Sequence, residues 1–116
     1  MKYMALIYSQ DGSGPAWGTP EFQAMMQGYA ALNDALKAAG AFVAGDALQA
    51  VDTATTLRIR NGRTETMDGP FADTKERLGG FYIMDCADLD EALRYAAMIP
   101  TAAHGSVEVR PLMVWN

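Results

Sequence analysis

Residues Lys2 to Ser9 are apolar at both alternating sets of positions, Tyr3, Ala5 and Ile7 on one and Met4, Leu6 and Tyr8 on the other. A strand with two apolar faces belongs in the middle of a sheet. Gly80 to Asp85 repeats the pattern, Phe81 and Ile83 against Tyr82 and Met84, and predicts a second central strand. Between them Phe22, Met25, Met26, Tyr29, Leu32 and Leu36 recur at helical spacing after Thr19-Pro20, an N-cap and a first-turn proline. Gly40 supplies the C′ position, so the spacing predicts a helix over 20–39. Asp88 with Glu91 forms an Asp variant of the capping box ahead of Leu89, Ala92, Leu93, Ala96 and Ala97, a second helix over 89–98 that Pro100 stops.

The remaining segments read as thinner strands and loops. Ala41 to Leu48 is a strand interrupted by Gly45. Thr55 to Arg60 sets Leu57 and Ile59 against Thr56, Arg58 and Arg60, and Asn61-Gly62 turns it back through Thr64 to Met67. Ser106 to Arg110 alternates Val107 and Val109 with Glu108 and Arg110, and the tail Leu112 to Trp115 is apolar. Gln10 to Gly18 is a glycine-rich loop whose Trp17 is expected to cap the core. This order predicts one α+β domain over residues 1–116, a ferredoxin-like split βαβ with an extra hairpin strand and both helices on one side of the sheet. The apolar second face of the central strands then calls for a sheet-to-sheet homodimer, a dimeric α/β barrel with Arg58, Arg60, Glu108 and Arg110 as its polar exceptions.

Composition narrows the function classes. Half of the 116 residues are apolar and 20% are charged, the balance of a folded domain. The net charge of -5 argues against a nucleic-acid partner. No stretch reaches the roughly 20 apolar residues of a membrane span, and the apolar start reads as a strand rather than a signal peptide. The lone Cys86, at the end of an apolar run, is expected to be a buried thiol, in keeping with a cytoplasmic location. No phosphate-binding glycine loop, metal-ligand cluster or nucleophile elbow is present in the sequence, so no cofactor is called for.

Candidate chemistry gathers between Asp68 and Gly80, Asp-Gly-Pro-Phe-Ala-Asp-Thr-Lys-Glu-Arg-Leu-Gly-Gly. Asp68, Gly69 and Pro70 predict a turn, with Asp68 as an Asx acceptor or as a carboxylate partner for a base. Lys75 and Glu76 either engage an anionic small molecule or form a solvated pair. His104, the one histidine, lies in a loop before the last strand and is a candidate general acid or base, or a residue that orders the loop. The expected cleft is lined by Tyr8, Asp68, Phe71, Lys75, Glu76, His104 and Arg110, with His104 and Asp68 catalytic and the others binding an unknown small molecule. The alternative is a non-enzymatic regulatory or interaction module.

The run Asp68 to Glu76, then Leu78-Gly-Gly-Phe-Tyr and His104-Gly-Ser-Val-Glu-Val-Arg-Pro111, closely resembles the DGPF-domain branch of the YCII-related superfamily. Ala54-Thr-Thr-Leu-Arg and Asp88-Leu-Asp-Glu-Ala-Leu extend the likeness over nearly the whole chain. The resemblance implies a ferredoxin-like dimeric α/β barrel and a cytoplasmic bacterial protein of unestablished biochemical role. It also implies a setting beside extracytoplasmic-function sigma factors, which is what gives the regulatory alternative its partner. The wider superfamily has been proposed to use a His and Asp pair; here only His104 supplies the His, and the Asp is left open. Asp73 stands where the branch more often has Glu, keeping the charge with a shorter reach.

Overall fold

The computed structural model describes residues 1–115. A four-stranded antiparallel sheet is built from β1 (Lys2–Gln10), β2 (Phe42–Ala47), β5 (Glu76–Asp85) and β6 (Ser106–Pro111), in the order β2-β5-β1-β6. The separate pair β3 (Thr55–Arg60) and β4 (Arg63–Asp68) forms a hairpin of its own, outside that sheet. Helices α1 (Pro20–Ala38) and α2 (Leu89–Ala96) complete the split βαβ arrangement. The doubly apolar strands are central as expected, paired from Lys2 with Asp85 to Gln10 with Glu76.

The helix-side face carries the core. Tyr3, Ala5, Ile7, Tyr82 and Met84 are buried against Leu32 and Leu36 of α1 and Ala92 and Ala96 of α2. The other face, with Met4, Leu6, Phe81 and Ile83, is only half-buried. Across β1 its neighbours on β6 are Arg110, opposite Met4, and Glu108, opposite Leu6. These two pair with each other at 3.2 Å and remain exposed in the single chain. Arg58 and Arg60 lie on the hairpin, opposite Glu65 and Arg63, and not beside Glu108.

The caps follow the sequence. Thr19 Oγ1 accepts from Phe22 N at 3.2 Å and Asp88 Oδ1 accepts from Glu91 N at 2.9 Å, each satisfying one orphan donor of a first turn. Asn61 and Gly62 take φ of 52° and 76°, the doubly positive pair of a tight hairpin turn. Three expectations are corrected. Trp17 is 86% exposed and packs on Phe22 in a tilted arrangement, ring centroids 4.8 Å apart and planes at 51°, so it covers the start of α1 and not the core. α2 ends at Ala96, and Pro100–Ala103 forms a 3-10 turn, because proline both ends one helix and presets the first turn of the next. The central strand β5 begins at Glu76, four residues before Gly80, so half of the polar motif is strand. Cys86 is buried as expected. Among the described residues, no helix is long and apolar enough to cross a membrane.

Candidate functional site

The 68–80 motif folds as a turn, a short loop and the start of β5, each held by backbone chemistry. Gly69 adopts φ 94°, a conformation that side chains resist, and its N–H donates to Ala54 O at 2.7 Å. Its carbonyl accepts from Thr56 Oγ1 at 2.8 Å. The turn is therefore closed by Gly69; the Asp68 carboxylate, expected as the Asx acceptor, is exposed and holds no backbone amide among the described residues. Further on, Thr74 Oγ1 donates to Glu76 O at 2.7 Å and Arg77 Nε donates to Thr74 O at 2.8 Å. Arg77 also meets the fully solvated Asp73 at 3.3 Å, a pair that water screens. Gly79 is the extra residue of a bulge, since Ile7 pairs with Gly80 and Tyr8 with Leu78. A Cβ on Gly80 would lie 2.9 Å from the backbone oxygen of Asp46, so β2 and β5 reach their spacing only with glycine there.

This architecture places a cleft of about 560 Å³ at one end of the sheet. One wall is the motif, with Pro70, Phe71, Thr74 and Glu76; another is the segment 48–55 before the hairpin; Tyr8 and Leu78 close it from the sheet. The volume is that of a small-molecule site, and the lining is mostly apolar, with Tyr8, Glu76 and Arg77 among its polar members. Its bulkiest apolar group, Phe71, is 72% exposed, an aromatic ring kept in water that a ligand or partner would cover.

Of the residues expected to share a cleft, the structure brings together Tyr8, Phe71 and Glu76. Lys75 faces a separate open groove with Gln10, Asp11 and Asp73. Arg110 is engaged by Glu108 on β6. His104 caps the Pro100–Ala103 turn, and its Nε2 would lie 3.1 Å from a Cβ on Gly14 in the 10–18 loop. It does not line the cleft, and among the described residues no hydrogen bond or ion pair joins it to Asp68. The next residue, Gly105, packs directly on the Tyr8 carbonyl. Arg77 is the charged lining residue that the sequence reading passed over. Its signal was present, an Asp73 and Arg77 four residues apart inside the motif.

The sequence model of the YCII-related domain matches residues 1–116. The chain belongs to the YCII-related family. An uncharacterized protein of Rhizobium meliloti is 41% identical over 118 residues, spanning 100% of this chain and 95% of that protein. Among solved structures, a 5-chloro-2-hydroxyhydroquinone dehydrochlorinase from Burkholderia phenoliruptrix, in complex with 2,5-dihydroxybenzoquinone, superposes with a TM-score of 0.51 at 20% identity. The match covers 97% of this chain and 94% of the other, and at that identity the likeness is one of fold.

Proposed function

We propose that this YCII-related chain binds a small, largely apolar organic molecule bearing hydroxyl or carbonyl groups in the cleft walled by the 68–80 motif, and does so as a homodimer. The observation that carries the reading is the placement of Phe71, Glu76 and Tyr8 around one recess. The motif resembling the DGPF branch thereby has a use beyond turning the chain. Phe71 and Leu78 offer contact area, while Tyr8, Glu76 and Arg77 offer a donor, an acceptor and a cation to fix orientation. A fold neighbour, the dehydrochlorinase in complex with 2,5-dihydroxybenzoquinone, supports a ligand with a single ring.

The proposed second copy covers the open sheet face. The accessible surface of 8057 Å² exceeds the roughly 6,200 Å² of a typical folded monomer of 12.5 kDa. The radius of gyration, 16.2 Å, likewise exceeds the roughly 13 Å of a compact domain of this length. Both excesses fit a protomer whose hairpin and tail, with Leu57, Ile59, Met113 and Trp115 exposed, rest on a partner. In this reading His104 and Asp68 stay the candidate acid or base and its carboxylate from outside the cleft, since neither lines it.

The test is a thermal-shift screen across small organic acids, phenols, quinones and carbonyl compounds, run on wild type, Phe71→Ala and His104→Ala. Binding to the native state alone raises the melting temperature. The reading expects a compound that stabilises wild type and fails to stabilise Phe71→Ala. No stabilising compound in any class, or equal stabilisation of Phe71→Ala, contradicts it. A turnover of the hit that His104→Ala abolishes supports the acid–base role; unchanged turnover removes it.

A further inference from the structure

A second recess lies on the opposite face of the sheet, between α1 and the β2–β5 edge, with a volume of about 520 Å³. Tyr29, Asn33 and Lys37 line it from one stripe of α1, each four residues from the next. Ile7, Phe42 and Tyr82 supply its apolar surface from the sheet. The helix buries Leu32 and Leu36 on the core, which leaves this neighbouring stripe standing over the strands.

The polar groups of the recess are ordered and unevenly used. Tyr82 OH donates to Asn33 Oδ1 at 2.8 Å, which fixes the amide so that its NH₂ keeps two protons without a protein acceptor among the described residues. The hydroxyls of Tyr29 and Thr101 share one hydrogen bond at 2.6 Å, leaving one O–H of the pair to spare. The Lys37 ammonium sits 5.3 Å from the centroid of the Phe42 ring, held over the apolar wall by a cation–π contact. Donors outnumber acceptors at the helix side, and the one carboxylate of the lining, Asp46, belongs to β2. An anion is therefore favoured at the Lys37 and Asn33 end.

We infer that this recess is a second ligand site, separate from the motif cleft, and that it takes a planar single-ring organic acid. The ring lies on Phe42, Ile7 and Tyr82, and the carboxylate accepts from Lys37 Nζ and Asn33 Nδ2. Burial of the Tyr82 phenol, with Tyr29 nearby, pushes its pKa up, which keeps its proton on the bond that orients Asn33.

Benzoate is the probe, titrated into uniformly ¹⁵N-labelled protein while the Asn33 side-chain amide signals are followed. Saturable shifts are expected in wild type. Loss of a charge-assisted contact in Lys37→Met is expected to weaken binding about tenfold or more. Lys37 is exposed, so this variant keeps its fold, and Asn33→Leu, read at the backbone amides of α1, is expected to weaken binding as a second, independent disruption. Absence of saturable shifts at Asn33 up to benzoate levels of about 10 mM, a range that reaches dissociation constants in the millimolar region, overturns the inference. So does a Lys37→Met protein that binds as wild type.

Discussion

The Tyr82 hydroxyl on β5 donates to Oδ1 of Asn33 on α1 at 2.8 Å, a bond across 49 residues of sequence that ties the first helix to the central strand. A neutral side-chain hydrogen bond of this kind contributes about 1 kcal/mol net. Tyr82→Phe keeps the ring that packs edge-on to Phe42, with centroids 6.5 Å apart, and removes only the bond. The expected result is a loss of about 1 kcal/mol in denaturant unfolding, or about 4 °C in melting temperature for a domain of this length. An unchanged midpoint would show that water replaces the bond without penalty.

The same phenol sets an alkaline limit. Its folded-state pKa is raised above the ordinary value of 10.0, first by burial and then by Tyr29. The folded protein therefore holds this proton more tightly than the unfolded chain, and the stability linked to it is complete below pH of about 10. It declines as pH rises from there through the folded-state pKa. Unfolding midpoints measured across that range should fall in wild type, with a smaller fall in Tyr82→Phe; identical slopes would contradict the assignment.

Cys86 provides a check on the core. The thiol is 3% exposed, and burial, followed by the Glu91 and Asp85 carboxylates, pushes its pKa up. A buried thiol with little thiolate reacts slowly. Alkylation by iodoacetamide at neutral pH should be far slower in the native protein than in denaturant, with a rate that follows the opening equilibrium. Fast native labelling would mean that the β5–α2 junction opens far more readily than its packing implies.

Much of the fold was legible because the apolar periodicity of β1, β5 and α1 follows the strand and helix faces that pack on the core, and the caps at Thr19 and Asp88 need only local chemistry. Less visible was anything decided by long-range register. Glu76 and Arg77 look like loop residues in a polar run, yet pairing with Gln10 and Ser9 draws them into β5. Arg58 and Arg60 alternate as any strand would, and nothing local says that their hairpin stands apart from the sheet. The site shows the same division. Phe71 and Glu76 were found because the motif concentrates them, and Tyr8 reaches them through its pairing with Leu78, whereas His104 and Arg110 were grouped with them by chemical type, and the fold places them elsewhere. Asn33 drew no reading from the sequence, although its spacing from Tyr29 and Lys37 already puts it on one helix face.

The proposed dimer makes a direct prediction about the open sheet face. Leu6 sits there between Phe81 on β5 and Glu108 on β6. A charge at its centre, as in Leu6→Lys, would be desolvated by a covering partner and accommodated by water in a monomer. Light scattering should give twice the chain mass for wild type and the chain mass for Leu6→Lys, with matching far-ultraviolet circular dichroism. A wild-type monomer at micromolar concentration would contradict the dimer.

The most direct test of the central claim is a calorimetric titration of a compound found in the thermal screen, comparing wild type, Phe71→Ala and Arg110→Ala. Phe71 is largely exposed, so its truncation removes ligand contact with little effect on folding. The motif cleft predicts that Phe71→Ala weakens binding about tenfold or more, the effect of losing an aromatic contact of roughly 1.5 kcal/mol, and that Arg110→Ala leaves it unchanged. Equal affinity in wild type and Phe71→Ala would contradict it.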